Sequence, residues 1–95
     1  MKSELESLKN VGPKVACLLQ VAGIETTEQF FQLGAVEATK RMFIANEMSP
    51  HIMYFYALVA AEQKRHIFSF DAAEKAELKI EYQDIVAEIG HGGRR

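Results

Sequence analysis

Along most of this chain apolar residues recur at the three- and four-residue steps of an amphipathic helix, and no stretch alternates as a strand would. Ser3 and Glu6 have the spacing of a capping box, which predicts a short helix over 3–9 with Leu5 and Leu8 on its apolar side. Gly12 and Pro13 then mark a turn: glycine permits tight geometry, and proline suits the first turn of a helix, where its missing N–H is no loss. A second helix is expected over 13–22, striped by Val15, Ala16, Leu18, Leu19 and Ala22 and ended by Gly23. Thr26 or Thr27 caps a third over 28–33, Gly34 stops it, and a fourth spans 35–45. The Ser49-Pro50 dipeptide starts a fifth over 50–64. This helix is apolar nearly all round, through Met53, Tyr54, Phe55, Tyr56, Ala57, Leu58 and Val59, so others should surround it. After a short loop holding His66, Ile67 and Phe68, Asp71 caps a last helix over 72–89. Gly90, Gly92 and Gly93 predict a flexible tail over 90–95. The expectation is an all-α fold of about six short helices, helix-hairpin-helix-like, in a single domain over 1–89.

Composition narrows the function. A hydrophobic fraction of 48% and a charged fraction of 25% are ordinary globular values, so the chain is not a disordered linker. The net charge of −2 argues against tight non-specific nucleic-acid binding, which strongly basic domains perform. The single cysteine, Cys17, allows no intramolecular disulfide. The opening over 1–6 does not read as a secretory signal, and the longest apolar run, over 52–61, is about half of a membrane span. The expected setting is cytoplasmic, away from a membrane.

The informative stretch is the helix–turn–helix over 5–23. Its turn, Asn10-Val11-Gly12-Pro13-Lys14, resembles a helix-hairpin-helix motif, in which a tight turn bares backbone N–H groups beside a helix N-terminus. Those donors and the helix dipole hold a phosphate, and a lysine just inside the helix adds a point charge. The candidate phosphate- or DNA-binding residues are therefore Asn10, Val11, Gly12 and Lys14, with Lys40 and Arg41 as helpers. Asn10 stands where the motif usually has its first glycine; asparagine tolerates left-handed geometry, but its side chain would crowd an approaching phosphate. The alternative is a hairpin that only packs two helices together.

Four blocks carry a wider resemblance: Leu8-Lys9-Asn10-Val11-Gly12-Pro13-Lys14, Val21-Ala22-Gly23-Ile24, Leu33-Gly34-Ala35-Val36-Glu37-Ala38 and Tyr56-Ala57-Leu58. Their order and spacing resemble the C-terminal domain of the TfoX (Sxy) competence-regulator family, over roughly residues 5–78. Where that family usually has His-Trp after the fifth helix, this chain has His66-Ile67. The resemblance implies a helical, helix-hairpin-helix-like fold, a bacterial origin and a regulatory role linked to DNA or transcription. It implies no catalytic residues, and a stand-alone copy of the C-terminal module.

Other chemistry is thinly represented. His51, His66 and His91 lie 15 and 25 positions apart, without helical ligand spacing, and Cys17 has no metal-spaced partner, so neither a metal nor a cofactor is expected. Cys17, between Ala16 and Leu18, reads as a small buried residue rather than a reactive thiol. Phe30, Phe31, Tyr54, Phe55 and Tyr56 read as core. No catalytic constellation stands out, so the chain is not expected to be an enzyme.

Charge is unevenly placed. From Asp71 to Glu88 there are six acids against two lysines, a net of −4, whereas the first 24 residues carry a net of +1. DNA contact, if made, belongs to the hairpin end, with the last helix facing away. In that helix Leu78, Tyr82, Ile85 and Ile89 step by four, three and four, the spacing of a short dimerisation seam. The same stripe would equally serve to fold the helix back on its own domain. Two functions therefore stay open: a weak, non-specific contact with duplex DNA, or a protein-interaction module binding a regulatory protein or a second copy as a homodimer.

Overall fold

The computed structural model describes residues 4–93, with side chains described through Gly90. Among these residues every regular element is helical, without a strand. A 3-10 turn, Glu4–Ser7, leads into the hairpin, and α1 (Pro13–Val21) follows. The long α2 (Thr27–Ala45) and the central α3 (Ile52–Gln63) come next. A second 3-10 turn, Ile67–Ser69, then precedes the final α4 (Ala72–Gly93).

Local chemistry explains most of the boundaries. Gly12 is the N-cap of α1, and Pro13 occupies its first turn. At the other end Gly23 takes φ 85, and the Ile24 amide reaches back to the Leu19 carbonyl at 3.0 Å, closing the helix in a glycine-dependent cap. Thr26 is the cap of α2: its hydroxyl accepts from the Gln29 amide, and the Gln29 side chain accepts from the Thr26 amide. Gly34 breaks α2 into two limbs, since its φ of 84 and ψ of 162 are not helical. The predicted stop at Gly34 is thus present, although the limbs run on as one element. The second limb begins with the Ala35 amide donating to the Glu62 carboxylate of α3 at 3.2 Å.

Three boundaries differ from the sequence expectation. The first helix is a single 3-10 turn, and Ser3, half of its expected capping box, lies outside the described residues. Helix α3 starts at Ile52 rather than Pro50, because the His51 ring caps it: Nδ1 accepts from the Met53 amide at 3.2 Å. Helix α4 continues to Gly93, past the tail expected from Gly90 onward; residues 94–95 lie outside the described residues. Its start is as expected, with the Glu74 amide donating to Asp71 and the Asp71 amide to Glu74.

The core surrounds α3, whose Phe55, Leu58 and Ala60 are fully buried. Leu5, Leu19, Ile24, Phe30, Met42, Phe43 and Ile85 close around them from the other elements. Two polar clasps fix the layout. The Thr27 amide donates to the Glu4 carboxylate at 2.7 Å, tying the first turn to α2. Asn46 donates from Nδ2 to the Leu18 carbonyl at 2.9 Å, tying the end of α2 to α1.

The last helix turns much of the expected dimer seam toward its own core. Leu78 and Ile85 belong to the core cluster, and Tyr82 and Ile89 pack against it. Leu78 and Ile85 are therefore used inside the molecule, with half-buried Tyr82 beside Phe55 at a ring distance of 6.4 Å and half-buried Ile89 at the edge of the core. The physical reason is area: a domain this small buries a modest core and gains from adding the apolar face of its last helix to it. The expectation for Cys17 is corrected. It is exposed, because Ala16 and Leu19 point inward from α1 and Cys17 falls off that face.

Candidate nucleic-acid interface at the hairpin turn

The turn between the first 3-10 turn and α1 has a conformation that its sequence makes available. The Val11 amide donates to the Leu8 carbonyl at 3.2 Å, and Asn10 takes φ 71, in the left-handed region. Asparagine reaches that region more readily than most residues, so it replaces the usual glycine without breaking the turn. Its side chain points into the protein. Asn10 Nδ2 donates to the Arg65 carbonyl at 2.7 Å, and Oδ1 accepts from the Ile67 amide at 3.0 Å. The amide group that would crowd a phosphate is consumed as a clamp between the hairpin and the loop after α3.

Beyond Asn10 the surface opens. Gly12, Pro13 and Lys14 are exposed, and no side chain caps α1. Ala16 is the first residue of α1 whose amide bonds back, to the Gly12 carbonyl at 2.9 Å. The amides of Lys14 and Val15 therefore stand ahead of the helix ladder, at the positive end of its dipole. Lys9 and Lys14 are exposed and form no ion pair among the described residues.

The remaining candidates are not brought to this place. Val11 is 5% exposed and belongs to the core, so it shapes the turn from inside. Lys40 is paired with Glu88 of α4, which holds its ammonium above the ordinary lysine range. Arg41 bonds Glu37 one helical turn away at 3.1 Å and borders a cleft with Gly23 and Ile24, beyond the far end of α1. Neither supports the turn. Helix α4 also does not face wholly away from basic residues, since its Glu88 neutralises one of the expected helpers.

Two features near the turn went unread in the sequence. Arg65 is a hub. Its guanidinium makes a two-point contact with the Glu74 carboxylate, at 2.7 and 2.9 Å, and also donates to Ser69, while its plane lies over the Phe70 ring. The hydrogen bond from Arg65, helped by the Asp71 amide, holds the Glu74 carboxyl below the usual glutamate range. Nothing in the spacing of Arg65 and Glu74 announces this, because the pair bridges a loop rather than a helical turn. Phe68 is the second: it is 76% exposed, the barest large apolar side chain of the described residues. The available signal was its position between Ile67 and Phe70, which a short turn cannot bury together with it. Among the described residues no group of His, Cys, Asp and Glu converges as a metal site, and no helix is long and apolar enough to cross a membrane.

An all-helical core carrying a helix-hairpin-helix turn defines the class of this domain. The chain belongs to the TfoX C-terminal domain family, whose model matches residues 1–82. Membership supports a TfoX-like regulatory module. Among solved structures, an uncharacterized protein from Listeria monocytogenes is similar, with 33% identity and a TM-score of 0.76 over 85% of this chain and 91% of that one. A comparison with curated proteins finds no match.

Proposed function

We propose that this domain is a non-catalytic regulatory module whose hairpin turn makes a weak, sequence-independent contact with the DNA backbone. The observation that carries the reading is the inward clamp of Asn10, which leaves Gly12, the Lys14 and Val15 amides and the Lys14 ammonium open to a phosphate. Such a contact positions a protein on DNA without reading bases. Its weakness follows from charge: the chain carries −2 overall, and the lysines on the turn itself are Lys9 and Lys14.

Fluorescence anisotropy with a mixed-sequence duplex tests this. A dissociation constant near the weak end of the roughly 10⁻⁴ to 10⁻⁶ M non-specific range is expected. With one or two phosphates engaged, log affinity should fall against log salt with a slope of about −1 to −2. Lys14→Glu removes binding, and Lys40→Gln leaves it intact. Tight binding that ignores salt, or an unaltered Lys14→Glu variant, refutes the hairpin contact.

One observation favours a second reading, a protein-interaction module. An apolar groove of about 620 Å³ runs between the end of α2 and the end of α4, lined by Phe43, Ile44, Met48, Pro50, Val86 and Ile89. A domain that binds no nucleic acid at low salt favours this reading.

A further inference from the structure

We propose that the His66–Phe68 ring pair is a stacking platform for an unpaired nucleobase, so that the domain binds single-stranded nucleic acid better than duplex. The proposal rests on the DNA-backbone reading of the neighbouring turn and extends it from phosphate to base.

Phe68 is exposed yet held in place. The second 3-10 turn fixes its backbone: the Phe68 amide donates to His66 Nδ1 at 3.2 Å, and the Ser69 amide and hydroxyl donate to the His66 carbonyl at 2.9 and 2.7 Å. The His66 ring lies 5.3 Å from the Phe68 ring, tilted by 34°, so one side of Phe68 is backed by a second ring and the rest is open. A large apolar side chain left 76% bare contributes little to the core. A ring held in this way is ready to receive a flat partner at a small entropic cost.

Position points to nucleic acid. The Ile67 amide, one residue before Phe68, is bonded to Asn10, so the ring and the hairpin turn belong to one clamped unit. Exposed Lys64, its ammonium over the Phe31 ring at 5.6 Å, stands on the ring's own segment, and exposed Lys14 stands on the turn. A bare aromatic ring on the same clamped unit as exposed lysines is an arrangement suited to single strands, where cations follow the backbone and rings stack on bases of any sequence. In a duplex the bases are stacked on each other, and Phe68 has nothing flat to meet.

The test uses labelled oligothymidylate and a duplex of the same length, with three variants. The expected result is tighter binding of oligothymidylate than of duplex. Phe68→Ala weakens single-strand binding by roughly tenfold, the loss expected for one stacked base, and leaves duplex binding unchanged. Lys14→Glu weakens both. Phe68→Trp places a lone tryptophan in a chain that has none, and stacking should quench its fluorescence as oligothymidylate is added. Indole fluorescence that stays unquenched in the Phe68→Trp variant at saturation overturns the platform and marks Phe68 as a protein-facing side chain. A Phe68→Ala variant that binds the single strand like the wild type does the same. If the duplex still responds to Lys14→Glu in that case, the backbone reading survives alone. Loss with Phe68→Ala but none with Lys14→Glu keeps the platform and removes the hairpin contact. No binding of either nucleic acid overturns both.

Discussion

Asn10 combines a backbone conformation and a pair of hydrogen bonds that no other residue type supplies together. Its φ of 71 would suit glycine, but glycine has no amide to reach Arg65 and Ile67. Asn10→Gly keeps the turn and loses both bonds, at a cost of about 1–2 kcal/mol if each contributes its usual net share. Asn10→Ala loses the bonds and adds left-handed strain of roughly 1 kcal/mol. Urea denaturation should therefore rank wild type above Asn10→Gly and Asn10→Gly above Asn10→Ala; equal losses would show that the strain is absent. The residue was legible in part. Its tolerance of left-handed geometry could be read from its type, whereas the direction of its side chain depends on carbonyl and amide groups 55 and 57 positions away. The same distance explains the misplaced helpers. Lys40 and Arg41 are basic in any reading, but Glu88 reaches Lys40 only once α4 has folded back.

Helix boundaries followed the punctuation of the chain at most local caps, the His51 ring at the start of α3 being the exception. Gly23, Thr26, Gly34 and Asp71 each act within a few residues; the pattern placed Gly23, Gly34 and Asp71 and narrowed the α2 cap to Thr26 or Thr27. Caps supplied from elsewhere were not legible: Glu62 receives the Ala35 amide across 27 positions. Arg65 and Glu74 act at this scale too, joining the end of α3 to the start of α4. Because folding lowers the Glu74 value, the contact stabilises the fold above the ordinary glutamate value of 4.5 and is lost as pH falls through the lowered one. Melting temperatures measured across the acid range should show wild type above Glu74→Gln near neutrality, with the two converging as acid protonates Glu74. A constant gap at all pH values would mean that the charge is not what matters.

At the scale of the molecule, fold class and the central place of α3 were readable because helical periodicity and an all-round apolar segment are both sequence properties. The partner of the last helix was not, since a four-three-four stripe suits a dimer seam and an intramolecular face equally. The fold uses it internally, with Ile85 1% exposed. Ile85→Ala should accordingly destabilise each monomer by about 2–4 kcal/mol, as buried large-to-small changes do, without altering the mass in light scattering. A variant that dissociates a dimer while keeping its melting temperature would restore the seam. The overall charge of −2 sets the terms for DNA: the molecule as a whole repels it, and the hairpin end is where exposed Lys9 and Lys14 flank open backbone amides. Amide chemical-shift mapping with a generic duplex at low salt tests that claim most directly. Shifts concentrated at Gly12, Lys14, Val15 and Ala16 that vanish as salt is raised are the expected result. Shifts centred on Ile44, Met48 and Ile89, or none anywhere, would contradict it.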